Sequence, residues 1–297
     1  MRFPKPLFFL LASGMTLPTC AATQAPPSRV TVLYDAFGGG AGLTRDWGFA
    51  ALVEYGGKRI LFDTGNNADV FAHNARALGI DLKNLDFVVI SHRHGDHTAG
   101  LNYLLTVNPS VKIYAPKEGF SVFGAALPGT FYRSDSALAA RMRYFDGHPP
   151  AELKFGTPWP AAHFVWIDSL TEVAPGVSII PTVSQIPGTL ELRELSLALR
   201  TPDGLVLIVG CSHAGIESIV EASARVANHV SLIVGGLHLV TTPDAEIERI
   251  ATSLHDRWHV DRIAPGHCTG EPAFAALERV FKARYLYAGL GTTIDLP

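Results

Sequence analysis

Four side chains that bind transition metals lie within six residues: His92, His94, Asp96 and His97. Imidazole and carboxylate are natural donors for zinc and its borderline relatives, and a catalytic site of this kind leaves a position open for water. A tight turn can aim His92 and His94 at one ion and Asp96 with His97 at a second. Two ions about 3.5–4 Å apart share a bridging hydroxide, a strong nucleophile at neutral pH. The chain has 12 histidines in 297 residues, and a scatter of solvated histidines does not readily place three of them with an aspartate at this spacing.

Such side chains need a rigid support, and the flanking pattern supplies one. Phe87 to Ile90 is a continuous apolar run, as in a strand buried on both faces, and Thr98 to Leu105 continues as a helix. The histidine run is therefore expected on a strand-to-helix turn at the carboxyl end of a buried strand, where α/β sheets place their binding sites. Upstream, Val30 to Leu33, Ala50 to Glu54 and Ile60 to Phe62 read as antiparallel strands separated by glycines, and Asn66 to Leu78 as a helix. Gly38, Gly39, Gly40 and Gly42 lack the spacing and following helix of a nucleotide-binding loop, and are expected to form a mobile rim. Downstream the strand-then-site pattern recurs. Val177 to Thr182, Glu191 to Leu199 and Leu205 to Val209 are expected strands, the last running into Gly210, Cys211, Ser212 and His213, with a helix to about Ala227. Val230 to Val234 ends at Gly235, Gly236, Leu237 and His238; after a helix over Asp244 to Leu254, the strand Arg262 to Ala264 ends at Gly266, His267 and Cys268. Two βα-type halves facing one another, with the site along their strand ends, are expected.

A chain of this length with 47% hydrophobic content can bury a sizeable core. Its net charge of −3, from 24 basic and 27 acidic residues without long runs of one sign, offers no phosphate-binding stripe. Nucleic acid is thus not an expected partner; a small-molecule substrate is, and a homo-oligomer is left open. Residues 118 to 165 scatter Phe120, Phe123, Phe131, Tyr132, Tyr144, Phe145, Trp159 and Phe164 among prolines and glycines without a period. An insertion of that length is expected to be a lid over the site. At the start, Arg2 and Lys5 precede the apolar stretch Leu7 to Leu17 and the small residues Thr19, Cys20, Ala21 and Ala22. That is the layout of a secretory signal peptide over residues 1–22, too short to span a membrane, followed by a linker at 23–28 and one domain over 29–297. The expected location is the periplasm. A lipid anchor through Cys20 ranks behind soluble export, because Thr19 stands where Gly, Ala or Ser usually precedes an acylated cysteine. Cys211 and Cys268 can pair in an oxidising compartment. Each lies one or two residues from a histidine, which points more to a metal neighbourhood.

The HxHxDH spacing after a buried strand resembles the metallo-β-lactamase superfamily, which implies an α/β fold, a four-layer αββα sandwich with metals at one edge of its two sheets. LFDTG at Leu61 to Gly65, SHRHGDHTAGL at Ser91 to Leu101, GCSHAGI at Gly210 to Ile216, GGLHL at Gly235 to Leu239 and GHCTG at Gly266 to Gly270 occur in that order. The set resembles the subgroup named after 7,8-dihydropterin-6-yl-methyl-4-(β-D-ribofuranosyl)aminobenzene-5′-phosphate synthase. The resemblance implies two divalent metal ions, with zinc ranked ahead of iron or manganese. Many members carry a PGH that supplies a third histidine, whereas this chain has Pro187, Gly188 and Thr189. His213 is the natural substitute, so His92, His94 and His213 would hold the first ion and Asp96, His97 and His267 the second. Cys211 stands where a bridging aspartate is usual, so its thiolate can bridge or lie close by. Asp63 is expected to orient the metal turn rather than ligate, and Cys268 to be a packing residue. His238 is open as a ligand, a general acid or a hydrogen-bonding partner; with Asp96 it is a candidate catalytic residue. His73, His148, His163, His229, His255 and His259 match no motif and are expected at the surface or in the core. The implied activity is hydrolysis of an ester, phosphodiester or lactone-type bond, with a β-lactam as a further option. Three alternatives remain: a di-iron or sulfur-oxidising redox enzyme on the same fold, the pterin-related synthesis that the subgroup's name implies, and a non-enzymatic binding protein that retained the fold.

Overall fold

The computed structural model describes Met1 and residues 28–119 and 121–297. The signal-peptide and Cys20 expectations, most of the 23–28 linker and Phe120 lie outside the described residues. In chain order the elements begin with β1 (Arg29–Tyr34), β2 (Ala50–Tyr55), β3 (Lys58–Phe62), α1 (Ala68–Ala77), β4 (Phe87–Val89), α2 (Gly95–Thr98), α3 (Leu101–Val107) and β5 (Lys112–Pro116). A hairpin, β6 (Ala125–Pro128) with β7 (Glu152–Phe155), precedes β8 (His163–Ile167) and β9 (Thr171–Ala174). Then come β10 (Val177–Val183), β11 (Arg193–Thr201), β12 (Gly204–Val209), α4 (Ile216–Ser223), β13 (Val230–Gly236), α5 (Asp244–Thr252), β14 (Arg262–Gly266), α6 (Glu271–Phe281) and β15 (Thr293–Asp295).

Alternation along these strands sorts the apolar residues into three layers. Successive strand side chains point to opposite faces. In β12, Val206 and Ile208 join one buried cluster while Leu205, Leu207 and Val209 join another. The first cluster also takes Val30 and Val32 from β1, Ala51 and Val53 from β2, Ile60 and Phe62 from β3, and Leu195, Leu197 and Leu199 from β11. It fills the space between a seven-stranded sheet, ordered β15-β1-β2-β3-β4-β5-β8, and a six-stranded sheet, ordered β14-β13-β12-β11-β10-β9. The second cluster packs α4, α5 and α6 on the outer face of the six-stranded sheet through Ile219, Ile250 and Leu277. A third packs α1 and α3 on the other sheet through Phe71, Ala75, Leu101 and Leu104. The architecture is thus the expected four-layer αββα sandwich.

Strand direction then decides where the chemistry sits. β3, β4, β5 and β8 run parallel, as do β12, β13 and β14. Their carboxyl ends carry Asp63, the histidine run, Cys211 with His213, His238 and His267. Parallel pairing therefore gathers the motifs that are dispersed along the chain.

Three local expectations change. The strand expected from Glu191 begins at Arg193, because Glu191 has φ 65° and turns with Leu192 back onto Ser184. The helix expected to reach Ala227 ends at Ser223 and closes in turns. The glycine rim is anchored rather than free, since Gly39 N donates to Leu290 O and a Cβ at Gly38 would lie 2.4 Å from Leu290 N. The buried Asn74 secures the far side of that loop by bonding to both backbone groups of Thr44.

Leu197 lies between the sheets, opposite Ile179 and Ile208, with no exposed surface. Leu197→Ala should lower stability by about 2–5 kcal/mol, through lost burial and the cavity left behind. Chemical denaturation checks this as a lower transition midpoint with an unchanged slope.

Candidate metal centre

His92 and His94 lie on the turn that leaves β4, and His213 on the turn that leaves β12. His92 Nε2 and His94 Nδ1 are 3.0 Å apart, and the His213 ring centroid lies 4.6 and 4.9 Å from theirs. One ligand atom from each of the three lies within 4.8 Å of the other two. Burial, followed by the charges of neighbouring histidines, holds His92 well below its ordinary pKa; burial and then His213 lower His94 to about 4. Both rings are therefore neutral at physiological pH, with lone pairs available for a cation. Nδ1 of the buried His213 lies 3.5 Å from Glu194 Oε2, and Nε2 is left without a hydrogen-bond partner. A buried polar atom without a partner costs about 1–3 kcal/mol, so this orphaned nitrogen fits a metal ligand.

Asp96, His97 and His267 form a second donor set. His97 Nε2 and His267 Nε2 are 3.2 Å apart, and Asp96 Oδ2 lies 3.4 Å from His267 Nε2 and 3.9 Å from His97 Nε2. Ligands about 2.1 Å from a tetrahedral ion stand about 3.4 Å from one another, so the spacing suits a divalent cation. Cys211 Sγ lies 3.2 Å from His97 Nε2, on the border of this set. His92, His97 and Cys211 also fall within the same 4.8 Å limit, which links the two sets.

Side chains behind these donors set their aim. Asp63 is fully buried; Ser91 donates its amide to Oδ1 and its hydroxyl to Oδ2, each at 2.7 Å, while His97 Nδ1 is 2.6 Å from Oδ2. His97 Nε2 is thereby directed at Cys211 and His267, the orienting role expected for the aspartate. Burial disfavours the charged form of His97, but Asp63 and Asp96 outweigh it and raise the pKa to about 9. Glu194 performs a similar task on the opposite sheet. Its carboxylate accepts the amides of Cys211, Ser212 and His213 at 2.8, 2.9 and 2.6 Å. Asp35 accepts the His267 amide at 2.9 Å. Thr189, which stands where a histidine is common, pairs its hydroxyl with that of Ser184 at 2.9 Å, and Ser184 donates to His213 O at 2.9 Å.

The sharp strand exits are visible in the backbone. Asp63, Ser212, His238 and His267 adopt left-handed φ values of 57°, 66°, 52° and 46°. Such conformations cost on the order of 1–3 kcal/mol and persist where surrounding contacts impose them. Gly210 allows a close approach of the two strand exits, since a Cβ there would lie 2.2 Å from Ser91 Oγ.

All seven expected ligands converge here. His238 joins them from β13, its ring 4.3 Å from that of His213. Cys268, expected as packing, is buried and lies within ligand distance of Cys211 and His238. Glu194, Asp35 and Trp47 are additional neighbours that the motifs do not single out. Glu194 had one signal, an acid among the apolar residues of a buried strand; Trp47 is an exposed rim residue whose ring lies 5.2 Å from that of His267. A cavity of about 570 Å³ adjoins the centre, lined by His213, His238, Thr189, Ile186 and Leu239. Another, of about 350 Å³, lies within the insertion beside Tyr132, Arg143 and Tyr144 and touches none of the donors. The first is the better substrate candidate.

Asp63→Asn should weaken divalent-cation binding about 10–100-fold, the usual cost of losing an orienting partner; chelator competition measures it. A pH effect follows from His97, whose pKa rises from the ordinary 6.5 to about 9. In metal-free protein, the His97 ion pair adds stability that is fully present below 6.5 and lost as pH rises through about 9. The thermal midpoint of chelator-treated protein should fall across that window, and Asp63→Asn should flatten the fall.

Residues 44–211, more than half of the chain, match the family described as the metallo-beta-lactamase superfamily. The chain is 31% identical over 257 residues to the 7,8-dihydropterin-6-methyl-4-(beta-D-ribofuranosyl)-aminobenzene-5'-phosphate synthase of Methanocaldococcus jannaschii, covering 78% of this chain and 83% of that protein. A solved structure described as a metal-dependent hydrolase of the beta-lactamase superfamily is 28% identical, with a TM-score of 0.68 over 91% of this chain and 99% of that one. The short form of human tRNase Z shares the fold, at 16% identity and a TM-score of 0.52, covering 91% of this chain and 99% of that one. With the sandwich, the donor sets at its edge and these relatives in agreement, the chain belongs to the metallo-β-lactamase superfamily and is an enzyme.

Proposed function

We propose that this enzyme is a two-metal hydrolase acting on an ester, phosphodiester or lactone-type bond of a small molecule. The observation that carries this reading is the pair of adjoining donor sets, His92–His94–His213 and Asp96–His97–His267, beside a cavity of about 570 Å³. Divalent cations held there, zinc ahead of iron or manganese, would activate water and polarise the scissile bond. The chain's own residues prepare that chemistry. His92 and His94 present neutral nitrogens, Asp63 fixes the direction of His97, and Asp96 is a carboxylate held below its ordinary pKa despite burial, through His267 and His97. Ile186 and Leu239 offer the substrate apolar surface, while Thr189 supplies a hydroxyl.

A lid role for the insertion at 118–165 is supported by its contact with the metal turn. Arg93, inside the metal turn, donates to Glu118 at 2.7 Å, and Phe131, Tyr144 and Phe145 remain exposed. Among the described residues, no helix is long and apolar enough to cross a membrane. Export to the periplasm is proposed from the pattern of residues 1–22 alone, and cell fractionation tests it.

A pterin-related synthesis is the second reading, favoured by the 31% identity to the archaeal synthase. Elemental analysis and a panel of phosphodiester, lactone and β-lactam substrates, run beside a dihydropterin with a ribosylaminobenzene phosphate, separate the two. Metal-dependent cleavage of a panel member is expected. Condensation without cleavage would replace the hydrolase, and bound iron with oxygen- or thiol-dependent turnover would favour redox chemistry. His94→Ala should lower kcat/KM by more than the about 100-fold that outer-shell changes reach, with the circular dichroism spectrum unchanged.

A further inference from the structure

Cys268 stands outside both histidine-rich donor sets, yet its surroundings are not those of a packing residue. With Cys211 and His238 it forms a group whose ligand atoms all lie within 4.8 Å of one another. Both thiols are reduced and almost fully buried, at 3% and 2% exposure. The Cys268 thiol reaches a backbone acceptor, Cys211 O, only at 3.8 Å, and Nδ1 of His238 is buried without a partner. Three adjacent parallel strands, β12, β13 and β14, each deliver one member of the group. The local chain keeps the corner open: His238 takes a left-handed φ of 52°, and a Cβ at Gly236 would lie 2.9 Å from Cys268 Sγ.

We propose that Cys211, His238 and Cys268 form a third cation site, for a thiophilic divalent ion of the zinc class, sharing Cys211 with the neighbouring Asp96–His97–His267 set. Two sulfurs and an imidazole suit zinc, whereas magnesium and calcium take oxygen ligands. One dication displaces two thiol protons and leaves two thiolates that cancel its charge. Asp63, Asp96 and Glu194 are thus left to offset most of the charge of the cations at the histidine-rich sites. His238 also lines the 570 Å³ cavity, so small ligands can reach this corner. The proposal assigns His238 to ligation rather than proton donation, and it does not depend on which bond the enzyme cleaves.

Metal counting tests it directly. The purified mature protein is loaded with zinc, desalted and subjected to elemental analysis, then reloaded with cobalt(II) and scanned for thiolate-to-cobalt absorption. Wild type should hold three ions per chain; Cys268→Ala and the more conservative Cys268→Ser should each lose one, with a weaker thiolate band. His94→Ala should lose an ion from the histidine set and keep that band, so failure of the hydrolase reading and failure of the third site read out separately. A wild-type count of two that neither Cys268→Ala nor Cys268→Ser lowers, with the thiolate band unchanged, overturns the proposal. So does retention of three ions by both Cys268 variants, or recovery of Cys211 and Cys268 as a disulfide after loading.

Discussion

The buried carboxylate of Asp63 is the contact on which the centre depends. It lies at the end of β3, receives both the amide and the hydroxyl of Ser91, and holds Nδ1 of His97 at 2.6 Å. A carboxylate in such surroundings is costly unless its lone pairs are filled, and filling them ties the exit of β3 to the exit of β4. The direction of His97 follows, and with it the meeting point of His97, His267 and Asp96. Ser91 Oγ also lies 2.8 Å from His92 Nδ1, so a single hydroxyl connects this carboxylate to both donor sets.

Glu194 answers Asp63 from the other sheet. One carboxylate orients a side chain; the other gathers three successive amides of the Cys211–His213 turn. Together they set the aim of His97 and of the His213 turn, while the imidazoles crowd at ring separations of 4.2 to 4.9 Å. The charges that support the centre thus sit mainly behind it.

Much of this was legible from residue order. A fixed-spacing cluster such as His92 to His97 carries its own signal, and the alternation of β12 or the continuous apolar run of β4 reflects burial directly. What stayed hidden depends on contacts between distant segments. Cys268 read as packing because its nearest chemical neighbours, Cys211 and His238, are 57 and 30 positions away in the sequence and meet it only through parallel strand pairing. The β6–β7 hairpin within the insertion is not legible because its strands, at Ala125–Pro128 and Glu152–Phe155, are joined by a long connection without a period. Glu191 read as strand because side-chain polarity does not reveal a positive φ.

The hydroxyl chain from Thr189 through Ser184 to His213 has an evolutionary consequence. In this enzyme the Pro187–Thr189 loop braces the His213 turn from outside, and the imidazole at the donor set comes from the turn after β12. A loop that must donate a nitrogen to a cation has little freedom in sequence or shape. Relieved of that duty, and lining the cavity with Ile186 and Thr189, it can diverge with the molecules it meets while the inorganic centre stays constant. Selection for new substrates would then act on this wall first.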